Sequence, residues 1–170
     1  MKNNFKALGL HLMMVILSTI FLIIFVITGP IIGQYVTHII SRVIMGIGFI
    51  VAYIYLGTFL NTDTNRKYDF LTGCFIALVG IALWFYTFST TGKDLFIIPR
   101  EESEYWILMN VYHTPFMFIN FIWEVPNTPI VSFITNLFPT LLMGVGLKYK
   151  RLKITKDHNK QLLNDSETGA

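Results

Sequence analysis

The sequence predicts an all-α, polytopic integral membrane protein: about four transmembrane helices, plus one further helix that lies at the outer face or re-enters from it. Three observations carry the prediction. Apolar runs long enough to cross a bilayer recur between Ala7 and Leu147; a helix needs roughly 20 apolar residues to span the hydrocarbon layer. Only 14% of residues are charged, 54% are hydrophobic and mean hydropathy is +0.58, whereas soluble domains carry about 25% charged residues. The charges gather at the ends of the apolar runs.

The first span is Leu8–Gly29, which contains no Asp, Glu, Lys or Arg. Its positive flank, MKNNFK, resembles the start of a signal peptide. The apolar stretch is longer than the 7–15 residues of a signal h-region, and no small-x-small cleavage site follows it, so an uncleaved span is expected. Pro30 separates it from the second span, Val43–Leu60, whose helix is expected to begin as early as Gly33 because Gln34–Ser41 holds no breaker. The third is Phe70–Ser89, bounded by Arg66-Lys67 and by Lys93. The last is Ile130–Leu147, which starts after Pro129 and ends at the basic run Lys148–Lys153. Together residues 1–153 form one membrane domain. Residues 154–170 are polar and too poor in apolar residues to fold alone, so a disordered cytoplasmic tail is expected there.

Between the third and last spans lies Ser103–Trp123, long enough to cross but interrupted by Asn110, His113, Pro115 and Asn120. Lys and Arg favour the side that faces the cytoplasm. With four spans and the N-terminus inside, Lys2, Lys6, Arg66, Lys67, Lys148, Lys150, Arg151, Lys153, Lys156 and Lys160 lie inside, against Arg42, Lys93 and Arg100 outside, 10 to 3. Five spans with the N-terminus outside give 9 to 4, and five with it inside reverse the bias to 4 to 9. The four-span arrangement is preferred because Asp94, Glu101, Glu102 and Glu104 then share the outer face. Both surviving arrangements put the C-terminus in the cytoplasm; the preferred one puts the N-terminus there too, in the cell membrane.

The candidate site is in the same segment. At 100° per residue, Trp106, Asn110, His113, Met117, Asn120 and Glu124 share one helical stripe, while Ile107, Leu108, Val111, Phe118, Ile119 and Ile122 occupy the other sides. One reading is an interfacial amphipathic helix whose polar side meets water and headgroups. The sharper reading is a polar lining, because polar side chains at membrane depth face a bundle interior or water. Pro115 cannot donate to the Val111 carbonyl and disfavours a helical Thr114, so a break near His113-Thr114-Pro115 is expected. Asn136, in the last span, is a candidate for an interhelical hydrogen bond or a substrate contact. The candidate binding residues are therefore Asn110, His113, Asn120, Glu124 and Asn136. Small residues (Gly73, Ala77 and Gly80; Gly46 and Gly48; Gly144 and Gly146) mark close helix packing.

Several chemistries lack their residues. The lone Cys74 makes no internal disulfide or thiolate cluster. H-E-x-x-H, G-x-S-x-G, P-loop and Cys-x-x-Cys motifs are missing, and no cofactor is expected. A metal held by His38, His113 and Glu124 would need three residues from separate segments to converge. Nucleic acid is not an expected partner: the net charge of +3 comes from basic residues that membrane orientation explains. The expected function is a non-enzymatic accessory, protective or assembly component, in contact with the lipid bilayer and with a larger membrane complex or its own copies. The alternative is a small-solute or lipid transport protein lined by residues 110–124. A membrane-embedded enzyme using His113 and Glu124 ranks third.

Overall fold

Unbroken apolar sequence makes an unbroken helix at the N-terminus. Helix α1, Lys2–Val36, is 35 residues long and passes through Pro30. The computed structural model describes residues 1–36, 38–63, 65–91 and 94–168, so the expectation placed on Lys93 lies outside the described residues. The chain is 84% helix, with no strand among the described residues. Inside α1 the hydroxyls of Thr19 and Thr28 donate to the carbonyls of Val15 and Ile24 at 2.8 and 2.7 Å, which satisfies them within an apolar helix. Residues 33–36 belong to α1, so the second helix does not begin at Gly33. A proline costs its own donor and a local kink rather than a whole helix. Helix α2, Ile39–Thr58, starts instead at an N-cap, His38, whose ring accepts from the Ile40 N–H.

A 3-10 helix, Arg66–Leu71, leads into α3, Cys74–Thr91. Gly73 joins them at φ +131°, a backbone region open essentially to glycine. The remaining elements are a 3-10 helix Arg100–Trp106, α4 Ile107–Tyr112, α5 Thr114–Ile122, α6 Pro129–Thr135 and α7 Phe138–Thr168. Four helical stretches are long and apolar enough to cross a membrane: Lys2–Ile31, Ile39–Thr58, Arg66–Thr91 and Pro129–Leu162. The last is interrupted at Asn136-Leu137, between α6 and α7. Pro139 has no N–H to give the Thr135 carbonyl, and its ring crowds that carbonyl, which accounts for the break.

Most of the basic residues mark one end of the bundle. There Asn3 and the Asn61 backbone exchange two hydrogen bonds at 2.8 and 3.0 Å, and the Gly73 N–H donates to Asn4 Oδ1 at 2.7 Å. Lys150 Nζ donates to the Leu60 carbonyl at 2.9 Å and Arg151 to that of Thr62 at 2.6 Å. Cations from α7 thus occupy carbonyls past the C-terminus of α2, where the helix dipole also favours them. Arg151 also donates to Asp69 at 3.0 Å. Asp94, Glu101, Glu102 and Glu104 sit toward the opposite, acidic end.

The core combines Ala7, Tyr53, Leu56, Leu60, Ile76, Tyr112, Phe116, Met143 and Leu147. Helices α2 and α7 touch backbone to backbone: a Cβ on Gly57 would overlap the Met143 carbonyl, and one on Gly146 would overlap that of Ile54. Elsewhere the long helices expose apolar side chains, among them Ile16, Phe21, Ile44 and Val51.

Helix α7 continues beyond Lys153 to Thr168. The side chains of residues 152–162 are exposed, so this extension is held by its own backbone ladder. Lys, Gln and Leu are good helix formers, and the preceding span supplies the nucleus that an isolated peptide lacks.

Candidate functional site

The segment Arg100–Ile122 forms a hairpin that enters the bundle from the acidic end. Trp106 borders a cavity near Thr91, Asp94 and Pro129. From there α4 descends along α3 until the Tyr112 hydroxyl donates to the Ile76 carbonyl at 2.7 Å, two residues past the start of α3. Helix α5 then climbs back beside α1 and α2. Phe116 packs on Phe49 and Tyr53, Phe118 and Phe121 on Phe25, and Trp123 on Gly46. At the top Glu124, at φ 57°, pairs with Arg42 at 2.5 Å.

Pro115 makes the turn at the hairpin's tip. The Val111 carbonyl, which no proline N–H can reach, accepts instead from the Thr114 hydroxyl at 2.7 Å. His113 sits in the break at φ −96°, ψ 6°, and its carbonyl accepts from the N–H groups of Phe116 and Met117. The break inside the bundle is tolerated because a side chain takes up the freed backbone carbonyl. The break expected at His113-Thr114-Pro115 is thus present.

The tip meets the break between α6 and α7. His113 Nε2 hydrogen-bonds Thr135 Oγ1. The Thr135 hydroxyl also lies 2.7 Å from the Val131 carbonyl. The imidazole stacks on Phe116 at 5.1 Å. Asn136 lies against Gly80 and Tyr112, where a Cβ on Gly80 would overlap its amide oxygen. On the far side of Tyr112 stands His11, with ring centroids 4.9 Å apart, and His11 Nδ1 pairs with the Tyr53 hydroxyl at 2.9 Å. Helices α1, α2 and α4 and the two helix breaks therefore bring His11, Tyr53, Tyr112, His113 and Asn136 into one buried group. The buried atoms His11 Nε2, Asn120 Nδ2, and Asn136 Nδ2 and Oδ1 have no hydrogen-bond partner among the described residues.

The five candidate residues do not share one lining. Asn110 Oδ1 accepts from Asn127 Nδ2 at 3.2 Å, and Asn127 Oδ1 accepts from the Ser132 hydroxyl at 3.1 Å; this ties the connector to the hairpin. Glu124 is 72% exposed and salt-bridged to Arg42. His113 and Asn136 are buried together at the tip, and Asn120 lies on the wall of an apolar groove. The single stripe is lost because the chain is not one helix from Ser103 to Glu124: the break at His113 resets the angular register. The apolar set divides accordingly, with Ile107, Leu108 and Val111 exposed and Phe118 and Ile122 buried. Sequence periodicity missed His11, Tyr53, Tyr112 and Thr135. A histidine isolated in the first apolar run, His11, was the available signal.

Two apolar grooves flank α5. One, about 380 Å³, lies between α2, α5 and the α6–α7 region, with Asn120, Phe49 and Trp123 on its walls. The other, about 430 Å³, lies between α1, α2 and α5, with Ser18 and Gly48 on its walls. Among the described residues no three His, Cys, Asp or Glu side chains gather as a metal site. Chemically, the buried group can donate and accept hydrogen bonds, and it contains no thiol or carboxylate. No protein-family model, curated protein or solved structure matches this chain.

Proposed function

We propose that the chain is a four-span protein of the cell membrane with both termini in the cytoplasm, and that α4–α5 is a re-entrant hairpin from the outer face. It acts as a non-enzymatic accessory, protective or assembly component, through helix contacts with a larger membrane complex or with a second copy. The orientation rests on the Lys and Arg bias. One observation supports the role above the others: the polar side chains of the hairpin are largely taken up within the chain, Asn110 by Asn127, His113 by Thr135 and Glu124 by Arg42. What remains at membrane depth is an apolar surface with open grooves, suited to other helices or lipid. Purification from the membrane at native expression level tests the role. Stoichiometric co-purification with a larger complex, or a stable homo-oligomer without transport activity, is the expected result. A lone monomer that moves a solute in liposomes overturns it.

A second reading, small-solute or lipid transport, is favoured by the unpartnered amides of Asn120 and Asn136. Buried amides without partners are costly, and a bound solute or water would satisfy them. Solute flux in liposomes that is abolished by Asn136→Leu is the outcome that reading requires.

A further inference from the structure

We infer that the basic end of the bundle carries a binding site for the phosphate headgroup of an anionic glycerophospholipid, in the cleft between the 3-10 helix Arg66–Leu71 and α7. The cleft, about 170 Å³, is lined by Arg66, Asp69, Phe70, Lys148, Arg151 and Leu152. Its charges are unequal. The Asp69 carboxylate is buried and already matched by Arg151. Arg66 donates to the neutral Thr155 hydroxyl at 3.3 Å, and Lys148 Nζ stands 6.0 Å from the Phe70 ring centroid. The lining therefore holds three cations and one carboxylate, a surplus of two positive charges. Arg151 is fixed by Asp69 and by the Thr62 carbonyl, which sets one wall of the cleft before any ligand arrives.

The position selects a lipid over a free anion. Lys148 directly follows Leu147, the last buried apolar residue of the fourth span, and Arg66 opens the stretch that becomes the third. This is the level at which headgroup phosphates lie, and basic pockets between helices on the cytoplasmic side recognise anionic headgroups. Exposed Phe70, Leu71 and Leu152 stand beside the cations. A phosphate can meet Arg66 and Lys148 while the glycerol and first methylenes meet Phe70 and Leu152. The inference rests on the membrane reading above but not on the accessory role.

The test uses the full chain in phosphatidylcholine nanodiscs, with phosphatidylglycerol titrated in and bound lipid counted by native mass spectrometry. Phosphatidylglycerol should be retained in preference to phosphatidylcholine. Each cation near the surface contributes on the order of five-fold, so Arg66→Gln/Lys148→Gln should weaken retention roughly 30-fold. Lys156→Gln/Lys160→Gln, on the same helix beyond the cleft, should leave it nearly unchanged. Arg66→Lys/Lys148→Arg, which keeps both charges, should retain binding and guards against a variant that merely misfolds. Three results would overturn the inference: equal loss in both glutamine pairs (a diffuse basic collar), no preference over phosphatidylcholine, or equally tight binding of glycerol phosphate in solution (a free-anion site). None of these bears on whether a protein complex co-purifies, so the two proposals fail separately.

Discussion

Exchanging the members of the Asp69–Arg151 pair one at a time should give unequal losses, and the structure sets the order. The Asp69 side chain is 3% exposed and that of Arg151 12%. Arg151 has a second acceptor, the Thr62 carbonyl at 2.6 Å. Arg151→Met strands a carboxylate with almost no access to water, and removing one partner of a buried ion pair costs about 3–5 kcal/mol. Asp69→Asn leaves an amide oxygen able to accept from Arg151, while the guanidinium keeps its carbonyl and some water; losing only the charge assistance costs about 1–2 kcal/mol. For a chain of this length each kcal/mol lowers Tm by about 2–4 °C. Arg151→Met should therefore melt roughly 6–20 °C lower and Asp69→Asn roughly 2–8 °C lower. The double variant, with no charge left to strand, should recover part of the larger loss. Thermal unfolding of the purified protein in detergent, followed by tryptophan fluorescence, measures all three. The reasoning fails if Asp69→Asn is the more damaging change, or if the double variant melts no higher than Arg151→Met.

Gly146→Ala would drive a Cβ into the Ile54 carbonyl and to 2.9 Å from the Gly57 Cα, so the folded-to-unfolded ratio should drop about five-fold or more, from the 1–3 kcal/mol typical of overpacking, and folded yield with it. Gly48→Ala, which meets open space, should be silent, and equal yields from the two by size-exclusion chromatography would refute the backbone contact. In a Cys74→Ala background, cysteines placed at Glu102 and Asn127 should both react with an impermeant reagent from outside; labelling of the Asn127 position only from the cytoplasmic side would replace the re-entrant hairpin with a fifth span. Asn136→Leu should raise thermal stability or leave it unchanged if the amide is only buried, because its nitrogen and oxygen make no hydrogen bond that the change would remove; a clear loss of stability would mean that the amide has a partner in the working protein.

Much of this fold was legible because bilayer thickness is a one-dimensional constraint. The runs 8–29, 70–89 and 130–147 each fall within a helical stretch long and apolar enough to cross, and 43–60 overruns the end of its stretch, Thr58, by two residues. Pro115 announced the hairpin's break, since a missing donor is a local property of one residue. The distribution of side chains around the hairpin was not legible. A stripe assumes one continuous 3.6-residue period, and the break that Pro115 imposes cancels that assumption at His113. The partners of Asn110, Glu124 and His113 are Asn127, Arg42 and Thr135; two of the three come from other elements, and Asn127 from the connector. The end of α1 was misread for a related reason: Pro30 removes one hydrogen bond, while the turns before and after it keep theirs. Residues 154–168 continue α7 although they hold too few apolar residues for a core, because a helix extending from a long preceding one needs none.

The same geometry bears on what the hairpin is for. A polar side chain carried into an apolar bundle costs least when the chain itself satisfies it, and an unmade buried hydrogen bond costs about 1–3 kcal/mol. Asn110 and His113 follow the first pattern: each is taken up by another side chain, and each bond holds the hairpin or its connector in place, while exposed Glu124 pairs with Arg42 at the surface. Asn136 follows the second. Its amide faces Gly80 and Tyr112 with neither atom bonded, at the point where the hairpin tip meets the α6–α7 break. A helix in that position needs no amide to pack against a glycine, since leucine fills a comparable volume. The amide therefore separates the two functional readings more sharply than His113 or Glu124 do. In an accessory protein Asn136→Leu leaves the phenotype intact with equal or greater abundance. In a protein that passes or holds a polar solute, the same change removes the phenotype while abundance is maintained.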